Sequence, residues 1–151
     1  MSLPTASIAV DAPFTTDAAT TDVVRAACRA WADRDEEALH EHLDPDVLWR
    51  AAVGSPYAGS YRGPDEVSVL LRRMAETWPA WEVDVDVIAS AAHQGLVVGT
   101  YRGRAASTGR SVEARFAQVW SVRDGRVTSH EEIVDSSRLL ASLITAQPSI
   151  P

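Results

Sequence analysis

From Thr21 onward, apolar residues fall at helical spacing: Val23, Val24, Ala27, Cys28 and Trp31 occupy i, i+1, i+4, i+5 and i+8 and form one stripe. Asp33, Arg34 and Asp35 interrupt it. A second short helix follows at about 35 to 43, with Asp35 as N-cap and Leu39 and Leu43 sharing a face. DPDVLWRAA then reads as a turn running into a short strand, in which Val47, Trp49 and Ala51 alternate with Leu48 and Arg50. Residues 53 to 63, VGSPYAGSYRG, are rich in Gly, Ser and Tyr and read as loop. GPDEV opens a third helix, with Pro64 near the first turn and Asp65 and Glu66 at the positive end of its dipole. Val67, Leu70, Leu71, Met74 and Trp78 continue it at i, i+3, i+4, i+7 and i+11.

Beyond Trp78 the period drops to two. Strands are predicted at about 80 to 92, 95 to 105, 111 to 123 and 126 to 134, with HQG, STGR and RDG as the turns. A short helix, SSRLLASL, follows with Asp135 or Ser136 as N-cap. The pattern predicts an α+β fold, with three N-terminal helices packed on one face of a curved antiparallel sheet of long hairpins. Residues 21 to 143 form the expected domain. Residues 1 to 20 read as a flexible arm and 144 to 151 as a C-terminal tail.

Composition narrows the class. With 46% hydrophobic and 23% charged residues in 151, the chain can bury a core without metal or disulfide help. The net charge of −7 removes the electrostatic driving force for nucleic acid. Cys28 is the only cysteine, so no intrachain disulfide is possible. No apolar run approaches the length of a membrane span, and the N-terminal segment lacks the basic start of a signal peptide, so residence in the cytoplasm is expected. His40 and His42 lie two apart on a helix and point to different sides, which disqualifies them as a joint metal site. Five Trp are many for this length, and residues so large fill a core or line a cavity for a flat apolar ligand.

The order helix, helix, strand, loop, helix, hairpins resembles the cone-shaped fold shared by nuclear transport factor 2, the ketosteroid isomerases, the limonene epoxide hydrolases and the SnoaL-like polyketide cyclases. WADRDEEALHEHLDPDVLW, YRGPDEV and above all VWSVRDGRVTSHEEIVD carry the resemblance, which covers roughly residues 21 to 143. It implies a pocket between the concave face of the sheet and the helices. Departures narrow the chemistry. Where the steroid isomerases place a helix Tyr, a carboxylate base and a protonated Asp, this chain has Ala27, the acid-free Trp49-Arg50-Ala51 stretch and Gln118. Where the epoxide hydrolases place an Arg and an Asp two apart, it has Tyr101 and Gly103.

The final hairpin decides which acids face inward, and its turn can be read two ways. A two-residue turn at Asp124-Gly125 puts Gln118 on a face with Glu131; a three-residue turn at Arg123-Asp124-Gly125 pairs Gln118 with His130. The second reading matches the cavity-facing positions of the resembled enzymes. It places Phe116, Gln118, Trp120, His130, Glu132 and Val134 inward, and Ala117, Val119, Val127, Glu131 and Ile133 outward. Glu132 then matches the carboxylate that the cyclases and epoxide hydrolases use as an acid or base. In an apolar pocket its charged form is disfavoured, which suits proton transfer near neutrality. The competing role is an ion pair with Arg50 or Arg115.

The resemblance therefore implies a cofactor-independent cyclase or isomerase acting on an apolar, polyketide-like small molecule. Glu132, His130 and Gln118 are the expected catalytic residues, and Trp49, Tyr57, Trp78, Tyr101, Phe116 and Trp120 the expected substrate-binding residues. The alternative is a non-catalytic binding or dimerisation protein of the same fold. Either would be a homodimer, because Ala117, Val119, Val127 and Ile133 leave an apolar patch on the outer sheet face.

Overall fold

Asp17 starts the structure. Its carboxylate accepts the backbone N–H of Thr20 at 3.1 Å, a capping bond that opens helix α1 (Ala18–Ala32). The chain is seen in a computed structural model that describes residues 17 to 145. Helix α1 therefore begins three residues before the predicted start. The rest of the expected arm, 1 to 16, and the tail from 146 lie outside the described residues.

Asp35 caps α2 (Glu36–His42) as expected, accepting Ala38 N–H at 3.0 Å. Strand β1 (Leu43–Ala51) begins at once, and the predicted turn survives inside it as an irregularity between Leu43 and Leu48. Strand β2 (Gly59–Arg62) corrects the loop assignment for part of 53 to 63. It pairs antiparallel with β1, and only Tyr61 among its four residues is more than marginally buried. Helix α3 (Gly63–Thr77) carries Pro64 in its first turn, and Glu66 reaches back to the Arg62 N–H, closing the helix start. Strands β3 (Ala80–Ala91), β4 (Gln94–Arg104), β5 (Ser111–Arg123) and β6 (Arg126–Val134) follow the predicted hairpins to within a residue. Helix α4 (Ser136–Leu143) closes the described chain behind Asp135.

The six strands form one curved, unclosed sheet in the order β2-β1-β6-β5-β4-β3. All neighbours are antiparallel except β1 and β6, which run parallel, so the wholly antiparallel expectation is corrected at that one pair. The inner face of β4 uses Gly95, Val97, Gly99, Tyr101 and Gly103, and three of these are glycines because something large lies over each. A Cβ on Gly95 would come within 2.6 Å of Val24, one on Gly99 within 2.8 Å of the Phe116 ring, and one on Gly103 within 2.8 Å of the Trp81 indole.

The β5–β6 hairpin resolves the question of register in a third way. Asp124 and Gly125, both at positive φ, form a two-residue turn with Arg123 opposite Arg126. One extra residue, Thr128, is then inserted between the pairs Val122↔Val127 and Ser121↔Ser129. The bulge restores the parity of the three-residue reading but moves the pairing by two positions. Gln118 stands opposite Glu132, not His130, and Trp120 stands opposite His130. Val127 precedes the bulge and is fully buried, so its outward placement is corrected.

Candidate functional site

Glu132 sits at the inner end of a hydrogen-bond chain whose direction can be derived from one residue. An indole N–H can only donate. Trp120 Nε1 donates to Gln118 Oε1 at 3.2 Å, which turns the amide nitrogen of Gln118 toward Tyr101. That nitrogen donates to Tyr101 Oη at 2.9 Å, leaving the phenolic proton to go to Glu132 Oε2 at 2.6 Å. Every dipole in Trp120, Gln118 and Tyr101 therefore points its positive end at the carboxylate. The other oxygen, Oε1, accepts no hydrogen bond from the described residues.

Two effects oppose each other at Glu132. Enclosure among aromatic rings raises its pKa, and the hydrogen bond from Tyr101, with the Gln118 amide behind it, pulls it back down; desolvation is the larger, so the carboxyl is held above its ordinary range. No cation neutralises it among the described residues. The expected competitor Arg115 turns to Asp86 and Thr100, and Arg50 is exposed. Burial and the neighbouring carboxylate also hold the Tyr101 hydroxyl well above the usual phenol range, so it stays a proton donor at any physiological pH.

The hollow in front of Glu132 is walled by Trp31, Trp49, Tyr57, Trp78, Trp81 and Tyr101, with Leu70, Met74 and Leu139 filling the gaps. Its volume is about 20 Å³, against roughly 10–15 Å³ needed by one water and about 300–1,000 Å³ for a drug-sized ligand. One water fits. A larger guest must displace part of the wall, and the half-buried Ala51, Ser55, Met74, Trp81 and Glu132 itself mark the side nearest solvent. The rings touch in sequence: Tyr57 on Trp78 at 5.9 Å, Trp78 on Trp81 at 5.6 Å, Trp81 on Tyr101 at 4.9 Å, and Tyr101 stacked on Phe116 at 4.0 Å. At the rim, Arg34 donates to the carbonyl of Trp78 at 2.7 Å and lies over the Trp81 ring.

Of the residues singled out in the sequence, Glu132, Trp49, Tyr57, Trp78 and Tyr101 meet at the hollow. Gln118 acts on it through Tyr101. Phe116 and Trp120 stand behind the wall instead. His130 is also set apart from it: its ring stacks on Trp49 at 3.7 Å, meets Trp120 edge-on at 4.6 Å, and has no partner at either nitrogen among the described residues. Burial depresses its pKa to about 3, so it is a neutral ring inside the core and not a proton carrier beside Glu132. Trp31, Trp81 and the phenol of Tyr101 as donor were not singled out. Trp81 could have been found from its alternation with Val83 on a strand facing the same way. The Tyr101–Glu132 bond spans residues 31 apart in different rows of the sheet and left no local signal. Among the described residues no three His, Cys, Asp or Glu come together as a metal site, and no helix is long and apolar enough to cross a membrane.

Four helices on a curved, unclosed six-strand sheet make up the cone-shaped fold class to which nuclear transport factor 2 and the ketosteroid isomerases belong. A family model described as SnoaL-like domain matches residues 24–130, most of the chain, and the chain belongs to that family. An NTF2-like protein from Burkholderia thailandensis superposes with a TM-score of 0.79 at 29% identity, covering 87% of this chain and 99% of that one. TerC, co-crystallised with polyporic acid, gives 0.75 at 20% identity, covering 83% and 98%. A protein from Shewanella denitrificans described as a SnoaL-like polyketide cyclase gives 0.71 at 12%, covering 84% and 98%. The last two share the fold. No curated protein sequence matches the chain.

Proposed function

We propose that the protein is a cofactor-independent cyclase or isomerase in which Glu132 moves a proton on a small apolar molecule. The observation that carries this reading is a carboxylate enclosed by aromatic rings, without a counter-charge and with one oxygen free of protein donors among the described residues. A purely structural carboxylate in such surroundings is costly, since its desolvation is not offset by a cation. In the proposed reaction the free Oε1 takes a proton from a carbon next to a carbonyl or from a hydroxyl. The donor chain from Trp120 through Gln118 to Tyr101 keeps Oε2 in place and limits how far the pKa rises. Ring walls on several sides would hold a flat substrate folded for reaction, which is catalysis by orientation. Neutral donors supply the electrostatics, so no metal or organic cofactor enters the scheme. That TerC was co-crystallised with polyporic acid supports a small organic molecule as the guest of this fold.

One observation favours a second reading, a non-catalytic binding protein: the hollow holds only about 20 Å³ and must open before anything larger than water enters. A single comparison separates the two. Small molecules that co-purify with the protein are identified, then incubated with wild type and Glu132→Gln. The enzyme reading expects turnover to fall by about a hundredfold or more in the variant with binding kept, and wild-type activity to rise with pH as Glu132 ionises. Equal conversion by both proteins, or none of any bound molecule by wild type, sinks it.

The expected partner is a second copy of the chain, docked on the outer sheet face, where Val87, Leu96 and Ile133 are 47%, 39% and 58% exposed. Light scattering at micromolar concentration should give a dimer mass. A monomer refutes the interface.

A further inference from the structure

On the inner face of the edge strand β3 the cover thins in the middle, between Trp81 and the buried Ser90. There Val83 and Ile88 are half-buried and Val85, on the same face, is 40% exposed, because α1 stops short of them. Between α1 and this strip lies a groove of about 450 Å³, open to solvent. Its lining is mixed, and the apolar part is Ala32 from the helix and Val83, Val85 and Ile88 from the strand, with the buried Cys28 beneath them.

Its helical rim is cationic. Arg25 and Arg29 are four apart, so both heads leave α1 on the groove side. Both are exposed, and neither lies within ion-pair distance of a carboxylate among the described residues. Two acids also border the groove. Asp86 is held by Arg115, and Asp33 sits at the C-cap of α1, one turn from Arg29 and about two turns from Arg25. The positive end of the groove is therefore the Arg25–Arg29 half, with an apolar floor beneath it large enough for a ligand of two or three fused or linked rings.

We propose that this groove is a binding site for an amphipathic monoanion, with a flat apolar body on Val83, Val85 and Ile88 and a carboxylate or sulfonate head between Arg25 and Arg29. The site is distinct from the hollow at Glu132, with Cys28 and Tyr101 standing between the two, and it does not depend on any turnover there.

The test compares two fluorescent probes with the same ring system, the anionic anilinonaphthalenesulfonate and the uncharged N-phenylnaphthylamine, titrated into the full chain at low salt. Wild type should bind both saturably, the anion about fivefold more tightly or better, a preference that fades in high salt. Arg25→Ala/Arg29→Ala should erase the preference while leaving affinity for the neutral probe in place. Val85→Trp, which fills the floor, should weaken both probes, while Ile133→Glu on the outer face should weaken neither. The proposal is overturned if the arginine variant keeps the preference, if neither probe saturates, or if Ile133→Glu rather than Val85→Trp removes binding. Circular dichroism guards against misfolding, and should Val85→Trp fail to fold, the exposed arginine pair decides the question alone. Failure here leaves the Glu132 reading intact, and the Glu132→Gln comparison leaves this one intact.

Discussion

Replacing His130 by Phe should make the protein resistant to acid. The native imidazole is neutral, with its pKa held at about 3 by burial between Trp49 and Trp120, while in the unfolded chain it titrates near its ordinary 6.5. A depressed histidine value gives stability that is complete above about pH 6.5 and is lost as pH falls through the window toward about 3, since there only the unfolded state takes the proton. Each pH unit in that window costs about 1.4 kcal/mol, so two units, from pH 6.5 to 4.5, cost about 2.7 kcal/mol. That is a large part of the roughly 5–15 kcal/mol by which a domain is folded. Phe keeps a planar ring in the stack and cannot be protonated. Neither nitrogen has a partner among the described residues, so the substitution breaks no hydrogen bond with them. Urea unfolding, followed by tryptophan fluorescence at about pH 7.5 and about pH 4.5, gives the loss for each protein. Any cost of fitting the larger ring is common to both pH values and cancels in the difference. Glu132 works with the opposite sign: its raised value lends stability present at low pH and lost as pH rises through it, equally in both proteins. Wild type should therefore lose about 2.7 kcal/mol more than the variant between the two conditions. If both lose the same amount, His130 is not the titrating group and its description as a neutral core ring is wrong.

Tyr101→Phe strands the Gln118 amide and the Glu132 carboxylate, so it should cost about 2 kcal/mol or more in urea unfolding and push the Glu132 pKa higher still, visible as an upward shift of its infrared carboxyl titration; an unchanged stability would show that the donor chain does not form. The Cys28 thiol, 3% exposed and pushed up to about 11 by burial, should resist a chromogenic thiol reagent at mildly alkaline pH in the native protein and react at once in denaturant. Rapid native labelling would contradict its placement on the buried face of α1.

The inward aim of Glu132 was legible because alternation along β6 has only two phases, and one of them matches the cavity-facing positions of the resembled enzymes. The route to that phase was not legible. Thr128 is an ordinary strand residue, and nothing in its chemistry marks it as the extra one; the bulge follows from fitting a tight Asp-Gly turn to a buried Trp120–His130 pair. Strand β2 escaped notice because a four-residue edge with one half-buried side chain carries no period. His130 shows the limit from another direction. Two residues from an inward carboxylate its type suggests proton transfer, yet a residue's neighbours in a sheet are on other strands, and here they are two indoles. Likewise the count of aromatics announced a lined cavity, while how nearly those rings fill it depends on their rotamers and on the glycines beneath them.

Gly103 ties the absence of an acid at its position to the closing of a wall. The resembled epoxide hydrolases need an acid at this point of the strand, yet any side chain here would start with a Cβ 2.8 Å from both the Trp81 indole and the carbonyl oxygen of Ala80. Restoring the acid alone would be rejected by the packing, and cutting Trp81 back alone would leave the strand with nothing to put in the space. An acid at this position therefore requires the floor and the ring above it to change together and β3 to shift, so the two arrangements are neighbours in shape but distant in mutational steps.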